Sequence, residues 1–272
     1  MPPRRSSPPQ EFWMELWKRE AGFLASGAGE YRHGASFVAV SDIASQYYCE
    51  YKAENEHTLG EIPTELKEMG TALHEELVPQ ERVSAKEFVR LVSGREPSLA
   101  VLKVWGTVAG LRVVGIPDHI IWSRGRPLWL VELKTTMGDP EPLWEDQESQ
   151  ARIYGLLLDL MGLDCSVLRL AVVRVKATGM LDEEKAKWAA EVSSALLGGT
   201  VAKLEMKYSG RLKVHLLDHD RRKAVSAVVA KAGYWLGERR PTSSSSVGKC
   251  RACEFNEVCP KSLLKHAAGT AR

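Results

Sequence analysis

Gly115-Ile-Pro-Asp118, Val131-Glu-Leu-Lys134 and Gln147-Glu-Ser-Gln-Ala-Arg-Ile-Tyr154 are the segments around which this chain is organised. Asp118 sits in an apolar, alternating run over residues 111–122, and Glu132 and Lys134 sit in a second, over 127–135. Ser123-Arg-Gly-Arg-Pro127 lies between them. Two β-rich runs split by Gly and Pro predict a hairpin. Residues i and i+2 of a strand share a face. Glu132 and Lys134 therefore point the same way, and Leu133 points into the opposite layer. With Asp118 on that side of the neighbouring strand, two carboxylates and one ammonium converge.

Paired carboxylates are hard oxygen ligands suited to Mg²⁺ or Mn²⁺. An ion held there polarises a phosphoryl oxygen and lowers the pKa of a bound water. A lysine two residues on can steady that water or the charge of the transition state. Glu-x-Lys alone also occurs on solvated hairpins. Asp118 at hairpin distance and the flanking features favour the site.

With 272 residues the chain can bury a full core, as one large domain or a domain with an appendage. Its 44% hydrophobic and 26% charged content is that of a soluble globular protein. No apolar run reaches the ~20 residues that span a bilayer, so no membrane partner is expected. Residues 1–10 lack the apolar centre of a signal peptide, and a cytoplasmic, intracellular protein is expected. A net charge of +2 does not announce a nucleic-acid binder, but a local basic groove is compatible with it. Five cysteines without an export signal point to metal or cluster ligation rather than disulfides.

In chain order, Phe12, Trp13, Leu16 and Trp17 predict an amphipathic helix over 11–24. Ser41, as N-cap, opens a second helix holding Tyr47, Tyr48 and Cys49. A third follows Pro63 over 63–78 and carries His74; a fourth covers 84–92. Strands are expected over 101–108, 111–122, 127–135, 166–175 and 211–217. Helices are expected over 143–161, 181–198 and 220–239. On the first of these, Gln150 and Tyr154 stand one turn apart on a face polar early and apolar later. The alternation gives an α/β class, a central mixed β-sheet flanked by helices. Residues 1–40 read as a lead with its helix, 41–240 as the core (helical over 41–95), 241–260 as a linker with a cysteine segment, and 261–272 as a basic, fraying tail. Tyr47, Tyr48 and Trp144 are expected to serve core packing.

Cys250-x2-Cys253-x5-Cys259 supplies three thiolates, and zinc and iron–sulfur clusters usually take four ligands. Cys49 is the natural fourth, and Cys165 is spare. Spacing alone leaves zinc and iron–sulfur open.

The order Cys49, His74, Asp118, Glu132-x-Lys134, Gln150-x3-Tyr154, Cys250, Cys253 and Cys259 resembles the RecB-type branch of the PD-(D/E)XK nucleases. It is most similar to members with an iron–sulfur cluster, such as the CRISPR-associated RecB-like exonucleases and AddB-type nuclease domains. The resemblance covers about 41–260. It implies a restriction-endonuclease-like sheet whose N- and C-terminal segments are joined by a cysteine-ligated cluster. It implies His74, Asp118, Glu132 and the carbonyl of Leu133 as ligands of Mg²⁺ or Mn²⁺, and Lys134 orienting or activating the attacking water. It implies Gln150 and Tyr154 positioning DNA or supporting Lys134, and Cys49, Cys250, Cys253 and Cys259 holding a [4Fe–4S] cluster. The activity implied is that of a DNA exonuclease on single strands or duplex ends, in CRISPR adaptation or repair, with an integrase or helicase as partner. Rival readings are a structure-specific endonuclease and an accessory protein that delivers DNA fragments to an integrase. Residues between His74 and Asp118 carry no mark of the family.

Overall fold

Arg124 and Gly125 both have positive φ, 54° and 71°. Two successive left-handed residues make the tight turn whose twist matches that of the strands it joins. The chain accordingly reverses between β5 (His119–Ser123) and β6 (Arg126–Thr136), which pair antiparallel with Ser123 opposite Arg126 and His119 opposite Val131. The computed structural model describes residues 8–27, 30–64, 67–68, 71–72, 75, 77, 84–176, 178 and 182–267.

The hairpin belongs to a five-stranded sheet in the order β2 (Ser98–Leu99), β5, β6, β7 (Arg169–Lys176), β8 (Leu212–Asp218). Only the β6–β7 pair is parallel, so the sheet is mixed. A second sheet orders β1 (Val38–Ala39), β4 (Leu111–Gly115) and β3 (Val104–Val108). The expected strand over 111–122 is therefore two strands in two sheets. Pro117 has no N–H to donate to a ladder, and the chain crosses between the sheets at Ile116-Pro117-Asp118. Asp118 stands just before β5 rather than within a strand.

The helices among the described residues are α1 (Gln10–Ala25), α2 (Val40–Tyr48), α3 (Glu50–Leu59), α4 (Ala85–Ser93), α5 (Glu145–Leu160), α6 (Asp182–Gly198), α7 (Val201–Lys207), α8 (Arg221–Trp235), α9 (Val247–Arg251) and α10 (Leu263–Ala267). One face of the large sheet, with Val131, Leu133, Ala171, Val173 and Val214, packs against Trp188, Val192 and Leu196 of α6 and Leu204 of α7. The other, with Ile120, Leu130, Leu170 and Val172, joins the larger core under α1, α2, α5 and α8. Residues Ser149–Leu158 of α5 are buried on every side, because this helix lies between the large sheet, β3, α2 and α8.

Several sequence expectations shift for local reasons. α2 begins at Val40 rather than after Ser41, with the Asp42 carboxylate accepting from the Ala39 N–H at 3.2 Å. Cys49 is extended, the joint between α2 and α3 rather than a helical residue. α3 has no apolar periodicity, so the hydrophobic pattern hides it; it is seated by buried polar groups, Glu50 and Asn55. Glu50 accepts from both Arg239 Nη1 and Nη2 at 2.6 Å, and from the Thr242 N–H at 2.8 Å and hydroxyl at 2.7 Å. β1 and β2, two residues each, are too short to read from periodicity. Part of the expected 63–78 helix, including His74, lies outside the described residues. The expected fraying tail starts with a short helix, α10. Among the described residues no helix is long and apolar enough to cross a membrane.

Gly115 shows why the motif residue before Asp118 carries no side chain. A Cβ there would stand 2.6 Å from Cε1 of Tyr154 and 2.9 Å from Cγ2 of Val40. Gly115→Ala should cost about 1–3 kcal/mol through overpacking, measured by urea unfolding. An unchanged midpoint and slope would show that the Tyr154 ring is not locked against this backbone.

Candidate active site

Asp118, Glu132 and Lys134 meet because of the sheet. His119 pairs with Val131, so Asp118 is one step from Glu132 across the hairpin. Glu132 and Lys134 share the face of Leu130 and Val172, and Leu133 faces the opposite core. Asp118 Oδ2 accepts from the Leu133 N–H at 2.6 Å, which fixes the carboxylate to the backbone of the Glu132-Leu133-Lys134 segment. Lys134 Nζ stands 2.9 Å from Glu132 Oε1 and donates to Gln150 Oε1 at 2.7 Å. Gln150 Nε2 donates in turn to the Tyr154 hydroxyl at 3.4 Å. The five residues named from the sequence therefore come together, Asp118 from the start of the hairpin, Glu132 and Lys134 from β6, and Gln150 and Tyr154 from α5.

Burial decides the electrostatics. Asp118 and Glu132 are only 8% and 2% exposed, whereas 25% of the Lys134 side chain stays open. Burial disfavours the Lys134 charge, but Glu132 and Asp118 beside it more than offset this and hold the ammonium above the ordinary lysine range. Burial, with Glu132 and Asp118 adding to it, pushes the Tyr154 phenol well above its usual value. Lys134 is thus charged and Tyr154 neutral throughout the physiological range. Their roles are to place charge and to hold Gln150.

The buried carboxylates of Asp118 and Glu132 are hard oxygen donors, the chemistry Mg²⁺ and Mn²⁺ select. Among the described residues no three His, Cys, Asp or Glu side chains stand close enough to hold an ion. His74, the further ligand expected, lies outside those residues.

A groove begins immediately beyond Lys134. It is lined by Thr135, Thr136, Trp144, Asp146, Gln147 and Arg174 on one side, and by Tyr48, Ser246, Gly248, Lys249 and Ala252 on the other. Trp144 is 52% exposed at its rim, while Tyr47 donates its hydroxyl to the Ala227 carbonyl at 2.8 Å and belongs to the core. Arg174, Asp146 and Lys249 carry no mark in the sequence. Only register and the folding back of the C-terminal segment bring them here.

The second cluster adjoins this groove and shares Tyr48 and Lys249 with it. Cys49, Cys250, Cys253 and Cys259 line one cavity with Tyr48, Lys52 and Asn55. All are free thiols, and Cys165 is buried elsewhere. Burial pushes the Cys165 thiol up to about 12, as it does the Tyr48 phenol, where the nearby cysteines contribute too. The segment is also clamped by protein contacts alone. Lys249 Nζ donates to the Tyr47 and Tyr48 carbonyls at 3.1 Å each, Tyr48 donates its hydroxyl to the Lys249 carbonyl at 2.8 Å, and Glu254 pairs with Lys52 at 3.3 Å and Lys67 at 2.6 Å. A four-thiol set suits zinc and an iron–sulfur cluster alike, and the described thiols are not as close together as a single ion requires.

Among solved structures, that of SSO0001 is similar over 93% of this chain and 96% of its own, at 16% identity and a TM-score of 0.42. No curated protein matches. The family model of the PD-(D/E)XK nuclease superfamily matches residues 23–260, a span that takes in the hairpin, α5 and all four clustered cysteines. The chain belongs to the PD-(D/E)XK nuclease superfamily.

Proposed function

We propose that this chain is a metal-dependent DNA nuclease that hydrolyses phosphodiester bonds, acting as an exonuclease on single strands or duplex ends. The reading rests above all on the ammonium of Lys134, bridged between Glu132 at 2.9 Å and Gln150 at 2.7 Å one step from Asp118. Asp118, Glu132 and the Leu133 carbonyl, with His74, would hold Mg²⁺ or Mn²⁺. The bound ion would neutralise charge on the phosphate and acidify a water. Gln150, braced by Tyr154, fixes the Lys134 head group, so its charge is placed before the substrate arrives. Asp118 is oriented by the Leu133 N–H, which fixes its carboxylate against the backbone of the Glu132-Leu133-Lys134 segment.

Cys49, Cys250, Cys253 and Cys259 would hold a [4Fe–4S] cluster that staples α2 and α3 to the C-terminal segment. Closing a loop of some 200 residues between Cys49 and Cys250 would restrict the unfolded chain strongly. The cluster is structural in this reading, because it lies at the cavity of the cysteines and the hydrolytic group is built from β5, β6 and α5. Work with a CRISPR integrase or with a helicase is the biological setting this activity fits.

Asp118→Asn, Glu132→Gln and Lys134→Met keep the size of each side chain. Each should lower Mn²⁺- or Mg²⁺-dependent cleavage at least a hundredfold while the circular dichroism spectrum is unchanged. Retained cleavage in all three folded variants removes the reading. A circular single-stranded substrate should survive intact, and its cutting would make the enzyme an endonuclease instead. Protein purified without oxygen should carry about four irons and absorb near roughly 400 nm. Serine at Cys49, Cys250, Cys253 or Cys259 should bleach it, and Cys165→Ser should not. Colourless, zinc-loaded protein would contradict the cluster.

A further inference from the structure

We infer that Arg174 holds a backbone phosphate of the substrate strand beside the one being cut, an inference that rests on the nuclease reading above. The register of the large sheet sets Lys134, Arg174 and Lys213 side by side across β6, β7 and β8. Register partners share a face, and neighbouring strands lie about 4.8 Å apart, so the guanidinium stands one strand beyond the Lys134 ammonium. The two outer cations of this row have carboxylate partners. Lys134 has Glu132 at 2.9 Å, and Lys213 has Glu141 at 3.3 Å and Glu205 at 3.4 Å. Arg174 differs: it is 3% exposed, and its Nε and Nη1 have no hydrogen-bond partner among the described residues.

A buried guanidinium with idle donors is costly, and chains keep such groups where a ligand completes them. Burial pulls the Arg174 pKa down although Asp146 and Asp139 act to raise it. An arriving anion would relieve that cost. Arg174 lines the groove that starts at Thr135, together with Lys249 and Ser246 of the cysteine segment. The planar fork of arginine fits two phosphate oxygens at once. The groove therefore combines a guanidinium with idle donors, a second cation on the opposite wall and the catalytic lysine one strand away. A nucleic-acid backbone presents repeated anions at such spacing. The clamp between Lys249 and the Tyr47 and Tyr48 carbonyls keeps that opposite wall in place. Arg174 is a positioning residue in this account.

Binding of a short fluorescent single-stranded DNA to the full, cluster-loaded chain, measured by anisotropy with Ca²⁺ in place of the catalytic ion, tests the inference. Arg174→Gln and Arg174→Met should each weaken binding on the order of ten- to a hundredfold and reduce the salt slope by about one. Neither should lower the melting temperature, because a buried guanidinium with idle donors costs stability where it stands. Single neutral methylphosphonates placed along the strand should weaken wild-type binding at one internal position and leave the variants untouched there. Unchanged affinity in the folded variants overturns the inference. So do effects that multiply at every position, a signal confined to the terminal phosphate monoester, or a fall in melting temperature that accounts for the loss. Wild-type protein that binds in this pattern yet cleaves nothing would defeat the nuclease reading and leave Arg174 standing. Cleavage with normal affinity in Arg174→Gln would do the reverse.

Discussion

The contact on which the site depends is the one between the Lys134 ammonium, the Glu132 carboxylate and the Gln150 side-chain carbonyl. A buried carboxylate and a partly open ammonium meet on the sheet face that also carries Leu130 and Val172. Such a pair is stable only where further hydrogen bonds satisfy the remaining donors and acceptors. α5 provides one of them, and it can do so only because its polar first turns lie over the end of β6 while its later turns are in the apolar core. The helix is thus both the centre of the fold and the support of the chemistry. Gly115 belongs to the same arrangement, since the backbone there gives way to the Tyr154 ring.

The C-terminal segment is the second constraint. It returns from α8 across α3 through the buried Glu50 carboxylate, which receives Arg239 and Thr242. It then folds α9 against Tyr48. This return path forms one wall of the groove and also brings three cysteines to Cys49. The clasp and the groove are consequently one structural unit. Changes at the cysteines would be felt where a substrate strand would lie, without any contact to the carboxylates.

Much of this was legible from residue order. Strand alternation and the Ser123–Pro127 turn give the hairpin, and the i, i+2 rule puts Glu132 and Lys134 on one face and Leu133 on the other. Helical spacing puts Gln150 above Tyr154. The division of residues 111–122 between two sheets was not legible, because the apolar pattern continues across the crossover and only Pro117 interrupts it. Nor was α3, which buries polar rather than apolar groups. Arg174 escaped for a different reason. An arginine in a Val-rich strand reads as an outward-facing polar residue, and only cross-strand register shows that it stands beside Lys134 under cover.

The account reduces to a divalent ion between Asp118 and Glu132. Diffraction from crystals soaked in Mn²⁺, recorded to give anomalous differences, reads this directly. The account predicts a peak within about 2.0–2.3 Å of a carboxylate oxygen of both residues, with Lys134 still on the same side of the sheet. Full soaking that leaves this position without a peak, or a peak that touches neither carboxylate, would contradict it.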